Sequence, residues 1–362
     1  MRLTGLRVLV AGAGVVGSAV ALTLRRQGAT VVLTDPDPPE GNASLVAAGM
    51  LAPALEAVLD LGAGEHFPLF RAARDIWPDF AAGMADDGGL GRSGSLWVGS
   101  EQSQAEVRDR LIAVGATAEI VTGIEAEAMA EGLKAGQGAV YTPEDWRVDP
   151  RTMLGRLRDS LRSLGGVRRR GLLASTDGSS ATFMDGDRLE TDAVVLATGL
   201  APIGLRATPP ELAWLEPVKG QILCFADHAP RAGPSVRGEG IYVCPSQGGC
   251  VAGATMEPGL TDRRVDSKAV ARLHASAATL FPALAPATPT GAAGVRSATP
   301  DGLPMVGPSS APGVFLAMGA RRNGWLLAPL MAQVLSDQLA GAGPGPWAGM
   351  FQPARFGLSP PG

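Results

Sequence analysis

One arginine stands out as a side chain that could do chemistry. Arg296 lies in the stretch GVRSATPDGLPMVG, most of whose other residues are small or turn-forming. A guanidinium in such a run either caps backbone at the surface or binds an anion. Its planar fork of donors matches a carboxylate with two hydrogen bonds. The sequence therefore predicts a carboxylate site at Arg296, with a salt bridge at the surface or between domains as the alternative.

Two further side chains are candidates for the same chemistry. Tyr242 is one of only 2 tyrosines and lies in a predicted strand, GIYVC, where its hydroxyl could donate to an anion. Tyrosines in strands are ordinarily packing residues, so a structural role is the alternative. Arg322 could contact a substrate or the edge of a cofactor, and a structural ion pair fits the sequence equally well.

Cysteines and histidines are too few and too scattered to form a metal centre. The chain has 3 of each, and no CxxC, HxxxH or HExxH occurs. We therefore expect no metal and no disulfide framework, as is typical of the reducing cytoplasm.

Bulk composition limits the class of protein. A chain of 362 residues with 46% apolar and 18% charged residues suits two joined domains and argues against disorder. Its net charge of −4 argues against nucleic acid or an anionic membrane as the partner. The apolar N-terminal run, which follows Arg2, resembles a secretion signal, but its spaced glycines and the strand after it favour a folded segment.

The elements around residue 12 form a dinucleotide-binding fingerprint. A strand, RVLVA, leads into GAGVVG, where Gly12, Gly14 and Gly17 have the GxGxxG spacing; a helix follows, and a second strand ends at Asp35. The glycines permit a tight turn, close approach to a pyrophosphate and close packing of helix on strand. Asp35 is placed to bind a ribose diol, which disfavours NADP.

A second apolar strand far along the chain favours FAD over NAD. The run AVVL ends in Ala197, Thr198 and Gly199. Small residues at the carboxyl edge of a parallel sheet let the backbone approach a dinucleotide. An ordinary core strand with a glycine turn is the alternative.

The layout predicts an α/β protein with two interleaved domains. A Rossmann-type FAD-binding domain takes residues 1–85, 146–212 and 293–362, and a substrate domain on a mostly antiparallel sheet takes residues 86–145 and 213–292. We expect antiparallel strands at 221–225, 240–244 and 250–254, and a crossing back to the first domain over the Pro- and Ala-rich residues 282–293.

Several short strings then identify a family resemblance. Besides GAGVVG and its acid, they are AAGML at 47–51, PVKG at 217–220, GATM at 253–256, GVR at 294–296 and RNG at 322–324. In this order they resemble the FAD-dependent amine and D-amino acid oxidase superfamily, and within it the glycine oxidases of thiamine biosynthesis. The resemblance covers nearly the whole chain.

The resemblance implies roles for particular residues. Arg296 binds the substrate carboxylate, Tyr242 adds a hydrogen bond, Arg322 completes the catalytic set, and Met50 and Met256 line the substrate pocket. Ser297 follows the arginine where relatives often have proline. The implied cofactor-binding residues are Gly12, Gly14, Val15, Val16, Gly17, Asp35, Ser44, Ala48, Gly49, Met50, Leu172, Ala197, Thr198, Gly199, Arg296, Gly319, Arg322, Asn323, Gly324, Trp325 and Leu326.

The hypothesis for function is oxidative deamination of glycine or another small amino acid. Hydride transfer from the α-carbon to flavin N5 needs no protein base, and O2 would reoxidise the flavin to give H2O2. From the family resemblance we also expect that the protein forms a homo-oligomer and that the imine passes to a thiazole synthase. The alternatives are a D-amino acid, sarcosine or proline dehydrogenase with another acceptor, and a non-catalytic FAD-binding scaffold.

Overall fold

Two sheets of different kinds position the candidate residues. The computed structural model describes residues 3–36, 42–60, 63–84, 89–200, 205, 209–343 and 345–357; Arg2 and the predicted boundary at residue 85 lie outside them. The strands are β1 Arg7–Ala11, β2 Thr30–Asp35, β3 Met50–Leu51, β4 Ser95–Val98, β5 Glu119–Val121, β6 Ala139–Thr142, β7 Trp146–Arg147, β8 Val167–Arg170, β9 Leu173–Thr176, β10 Ser180–Phe183, β11 Arg188–Glu190, β12 Ala193–Leu196, β13 Glu216–Ala226, β14 Ser235–Gly238, β15 Ile241–Ser246, β16 Gly249–Gly253, β17 Glu257–Pro258, β18 Thr290–Ala298, β19 Met305–Pro308 and β20 Val314–Met318.

The helices of the described residues range from a single turn to more than four turns. In chain order they are α1 Val15–Arg26, α2 Pro53–Leu59, α3 Phe67–Asp75, α4 Trp77–Ala81, α5 Glu101–Ala113, α6 Gly123–Met129, α7 Pro150–Ser163, α8 Ser267–Leu280, α9 Gly324–Leu339 and α10 Ala348–Phe351. Asp149 caps the amphipathic helix α7 by accepting a hydrogen bond from the Thr152 amide.

The first sheet is the mostly parallel one. Its strand order is β19-β20-β12-β1-β2-β8, and each neighbouring pair is parallel except β19 with β20. The inner strands are short apolar runs, as burial on both faces requires. The helices α1, α7 and α9 share a core on one face, and the small sheet β11-β10-β9 packs on the other. This arrangement brings the ends of β1, β2 and β12 to one edge.

The second sheet is mostly antiparallel. Its order is β17-β13-β16-β15-β14-β4-β6-β5, and β18 pairs with β13. The one parallel pairing among these strands is β14 with β4. The predicted strands at 221–225, 240–244 and 250–254 are observed as β13, β15 and β16 with shifted ends. Helix α8 packs on this sheet.

Strand β18 changes the predicted route of the chain. It pairs with β13 from Thr290 opposite Cys224 to Ala298 opposite Glu216. The expectation that residues 282–293 cross back to the first sheet is therefore wrong, because the small residues that open β18 pair closely with β13. The strand spans the predicted domain boundary at residue 293, and the division into domains otherwise stays a prediction.

Candidate functional site

A cavity of about 660 Å³ lies along the carboxyl edge of the first sheet and under the second. One end is lined by the glycines after β1 and by Asp35, and the other by Arg296, Arg321 and Arg322. A volume of this size is typical of a site that encloses an organic ligand. We call the two parts the nucleotide end and the substrate end.

Backbone geometry shapes the nucleotide end. Gly12 has φ +106°, and a Cβ there would lie 2.3 Å from the Ala197 carbonyl oxygen. A Cβ on Gly17 would lie 1.8 Å from the Gly12 carbonyl oxygen, so this glycine serves helix packing rather than lining the cavity. Gly14 borders the cavity and is the N-terminal cap residue of α1. The fingerprint therefore leaves a helix N-terminus open to an anionic ligand, as a pyrophosphate needs.

Two polar side chains support this turn. The Asp35 carboxylate accepts a hydrogen bond from the Ala13 amide at 2.8 Å, and it also lines the cavity. Ser44 Oγ accepts a hydrogen bond from the Val15 amide at 2.9 Å. Val15, Val16 and Ser44 all line the cavity, as predicted for a cofactor site.

The other walls come from distant segments. Ala197, Thr198 and Gly199 line the cavity directly after β12, and Leu172 lines it between β8 and β9. The sequence predicts cofactor contacts at these four residues, and the structure brings all four to the cavity wall. Ala48 and Gly49 do not line it: Ala48 is buried in an apolar cluster, and a Cβ on Gly49 would lie 2.0 Å from the Val148 carbonyl oxygen.

The segment between β20 and α9 forms a further part of the cavity wall. Gly319 has φ +82°, and its amide donates to Ser297 Oγ at 3.2 Å. The serine that stands where relatives often have proline thus holds this turn. The Trp325 indole donates to the Ser44 carbonyl oxygen at 3.0 Å. Gly324 and Trp325 line the cavity, whereas Asn323 is buried beside it and Leu326 belongs to the core.

Arg296 reaches the substrate end from β18. Its Nη1 lies 3.5 Å from the Thr255 carbonyl oxygen and 3.5 Å from Met256 Sδ. No carboxylate among the described residues forms an ion pair with it. Burial lowers the pKa of this guanidinium, with a smaller opposing effect of Tyr242. Arg296 is half-buried, and a partly desolvated cation without a carboxylate partner is costly unless a ligand supplies the anion.

Two glycines make room for this guanidinium and for Tyr242. A Cβ on Gly220 would lie 2.1 Å from Arg296 Nη1, and a Cβ on Gly253 would lie 2.8 Å from the Tyr242 hydroxyl oxygen. Enclosure raises the pKa of Tyr242, which therefore keeps its proton. Sequence reasoning did not assign either glycine this role, because it depends on the register of the paired strands, and β13 and β18 are also distant in the chain.

Met50 and Met256 occupy different environments. Met50 is half-buried in β3 and packs in the same apolar cluster as Tyr242. Met256 is 39% exposed and touches Arg296 through its sulfur. Neither methionine nor Tyr242 is among the residues that line the large cavity. Their role as walls of a substrate pocket stays a prediction.

Arg322 differs from Arg296 because carboxylates hold it. Its Nε is ion-paired with Glu56, and its Nη2 lies 3.3 Å from Asp60 Oδ2. Asp60 is also ion-paired with Arg321, and Glu56 Oε1 lies 2.8 Å from Arg237 Nη2. The structural alternative for Arg322 is thus present, although its side chain also lines the cavity.

A third carboxylate completes this group. Asp145 is fully buried and accepts hydrogen bonds from the amides of Ala54 at 2.9 Å and Leu55 at 3.4 Å, in the first turn of α2. Burial raises its pKa to about 6, although Arg237 opposes the rise. Burial also favours the neutral form of Glu56, but Arg322 and Arg237 outweigh it and lower its pKa. We call this group the arginine–carboxylate cluster: Glu56, Asp60, Asp145, Arg237, Arg321 and Arg322.

Sequence reasoning missed part of the cavity wall. The carboxylates of the cluster lie in no recognisable sequence motif, so the sequence does not identify them as functional residues. Several unpredicted residues also line the cavity, and most of them flank predicted ones: Ala11, Thr34, Asn42, Ala43, Ala47, Gly171, Leu173, Leu200, Leu205, Thr261, Arg263, Val295, Ser297, Ala317, Met318, Ala320 and Arg321.

Two other kinds of feature are absent from the described residues. No group of three or more His, Cys, Asp or Glu side chains among them is arranged to hold a metal ion. None of their helices combines the length and the apolar character needed to cross a bilayer.

Comparison with known proteins finds relatives over nearly the whole chain. A family model described as FAD dependent oxidoreductase (DAO) matches residues 7–338. Glycine oxidase of Pseudomonas aeruginosa PAO1 is 30% identical over 93% of this chain and 96% of its own length. The bifunctional protein ThiO/ThiG of Nostoc sp. PCC 7120 is 29% identical over 91% of this chain and 52% of its own length. The crystal structure of glycine oxidase from Geobacillus kaustophilus has a TM-score of 0.82 and 28% identity, with 98% of this chain and 99% of that chain covered.

Proposed function

The chain belongs to the FAD dependent oxidoreductase (DAO) family, and from this membership we propose that it oxidises glycine or another small amino acid. The predicted fold class, family and cofactor are confirmed by these comparisons. In the reaction the amino acid loses two electrons and two protons to give an imine, and O2 takes them up as H2O2. Water then hydrolyses the imine to an oxo acid and ammonia.

The observation that supports the substrate class is the position of Arg296. Its guanidinium borders the same cavity as the dinucleotide glycines and has no carboxylate partner among the described residues. An α-amino acid carries the complementary group, and a bidentate pair would orient it. The protonated Tyr242 hydroxyl supplies a second donor nearby.

The described wall at the substrate end also limits the mechanism. Its ionisable lining residues are arginines, while the carboxylate of Asp35 lies at the nucleotide end. Since no histidine or free carboxylate borders the reacting centre there, the substrate amine must lose its proton to solvent before oxidation. The protein then acts by binding, orienting and excluding water.

The residues of the nucleotide end fit FAD. A Cβ on Gly14 would lie 3.0 Å from Ser44 Oγ, so the glycine keeps the helix terminus accessible, and Asp35 faces the same space. FAD, when bound, supplies the oxidant that takes the hydride equivalent from the α-carbon and is itself reoxidised by O2. The N-terminus of α9, at Gly324, would stabilise negative charge at the substrate end.

Family membership also suggests a partner. We infer that the imine, or its hydrolysis product, passes to a thiazole synthase in thiamine biosynthesis. The bifunctional ThiO/ThiG relative supports this, because the segment that matches our chain is about half of a longer protein. A homo-oligomer stays an expectation.

The direct test mixes anaerobic holoprotein with glycine and follows the flavin absorbance. Rapid bleaching, followed by H2O2 formation when air is admitted, is the expected result. Bleaching without peroxide would indicate a dehydrogenase that uses another acceptor. A flavin that stays oxidised with glycine, sarcosine, D-alanine and D-proline would contradict the proposal and indicate a scaffold.

A further inference from the structure

The arginine–carboxylate cluster is electrically balanced on its own. Its three arginines face three carboxylates, and each arginine lies within reach of at least one of them. Arg296 is outside this balance, although it is close enough for Arg322 and Arg321 to lower its pKa. Of the three arginines that we place at the substrate end (Arg296, Arg321 and Arg322), Arg296 is the one without a carboxylate partner among the described residues.

Glu56 is the member that secures this balance. Its side chain is 8% exposed and lies between Arg237 of the second sheet and Arg322 of the segment before α9. Because Glu56 lies on α2, it holds both arginines against that helix. Without its charge Arg322 would keep only the longer contact with Asp60, which Arg321 shares.

We propose that Glu56 is a specificity-determining positioning residue, which holds Arg322 and cancels its charge so that the site accepts one carboxylate per substrate. This inference rests on the proposed function and names its substrate class: amino acids with one carboxylate and no second anionic group. A second anion would need a cation whose charge is not cancelled, and Glu56 and Asp60 cancel the charge of Arg322, the neighbour of Arg296 in the cavity wall. Removing a carboxylate should therefore create a second anion site.

The sign of the effect separates this role from a merely structural one. Glu56→Gln keeps the shape of the side chain and removes its charge. A purely structural residue, when replaced, loosens the pocket and weakens every ligand. The charge-cancelling role predicts instead that a dicarboxylate binds more tightly, because Arg322 becomes available to it.

The experiment titrates holoprotein with acetate and with malonate at about pH 8, where Asp145 is ionised, and follows the flavin spectrum. Malonate affinity relative to acetate should rise about tenfold or more in Glu56→Gln, as expected for one additional charge-assisted hydrogen bond to the ligand. Asp60→Asn, at a more exposed position, should raise it about threefold. Glu211→Gln is the matched control, since Glu211 is a buried glutamate bound to the amide and hydroxyl of Ser310.

Each outcome supports or overturns the role given to Glu56. An unchanged or lower ratio in Glu56→Gln, with FAD still bound, would overturn the proposal. If that variant loses FAD, the ratio in Asp60→Asn decides in the same way. The titration needs no turnover, so a wild-type protein that binds acetate but oxidises no amino acid would contradict the proposed function alone.

Discussion

The two ends of the cavity differ in whether main chain or side chains form the wall. At the nucleotide end, backbone forms most of the wall: Gly12, Gly14 and the first turn of α1 come from one continuous segment. At the substrate end, side chains from separate segments converge, with Arg296 on β18 and with Arg321 and Arg322 in the segment before α9. The nucleotide end recognises a group common to many proteins, whereas the substrate end depends on how charge is shared among arginines.

The largest expected effect comes from a substitution that distorts the backbone of the nucleotide end. Gly12→Ala places a methyl group 2.3 Å from the Ala197 carbonyl oxygen at φ +106°. We expect FAD affinity to fall by about 100-fold or more, because the strand ends must separate where the pyrophosphate binds. The flavin content of purified protein measures it.

Gly186→Ala is the control for backbone strain alone. Gly186 has φ +90° and open space around its Cβ position. This variant should keep its flavin at a modest cost in stability. Equal flavin loss in both variants would mean that strain, not the blocked approach, is responsible.

The next largest effect comes from a substitution at the substrate end that leaves the nucleotide end unchanged. Arg296→Leu should raise KM for the amino acid by about 10- to 1,000-fold, because a charge-assisted bidentate contact is lost. FAD content should stay near that of wild type. Steady-state kinetics with peroxide detection checks both statements, and an unchanged KM would remove Arg296 from the carboxylate site.

A third prediction concerns pH and the cluster beneath the substrate end. Since the folded pKa of Asp145 is raised to about 6, the native state holds its proton more strongly than the unfolded chain. The contribution of Asp145 to the free energy of unfolding should therefore fall as pH rises from about 4 to 6, by at most about 3 kcal/mol. Asp145→Asn should remove this fall, as measured by urea unfolding.

Asp192 offers the opposite sign as a control. Hydrogen bonds from Arg7 lower the pKa of this exposed carboxyl. Its contribution is present above about pH 4 and is lost as pH falls further. Asp192→Asn should leave the decline between about pH 4 and 6 in place, and disappearance of that decline would contradict the role given to Asp145.

The smallest expected effect comes from a substitution on β13, next to the Arg296 guanidinium. Gly220→Ala puts a methyl group 2.1 Å from Arg296 Nη1, and the flexible end of that side chain can shift. KM should rise about tenfold with unchanged flavin content. Gly155→Ala on α7, where nothing lies within 4 Å, is the matched control and should leave KM as it is.

The sequence predicts the nucleotide end well for a physical reason. The fingerprint, its helix and Asp35 depend on contacts within one βαβ unit, so local spacing carries the information. Ala197 to Gly199 follow the same logic, because parallel strands end at a common edge. The predicted residues that miss the cavity, such as Gly17 and Leu326, support it through packing.

The substrate end is less predictable because its contacts span the whole chain. Arg296 is visible as a charged residue in a run of small ones, but its freedom from a carboxylate depends on where Glu56 and Asp60 point. Those acids sit on and beside α2, a short helix with no motif. Residues 282–293 are predicted to cross back to the first domain from their Pro- and Ala-rich composition. Composition does not indicate which strand a segment pairs with, so the pairing of β18 along β13 is not predicted.

The most direct test of the account is a crystal structure of the holoprotein with acetate bound as a stand-in for the substrate carboxylate. We predict both acetate oxygens within about 3 Å of the Arg296 guanidinium, on the side of the flavin ring that faces the second sheet, with Arg322 still paired to Glu56. Acetate held by Arg322 instead, with Arg296 turned toward solvent, would contradict it.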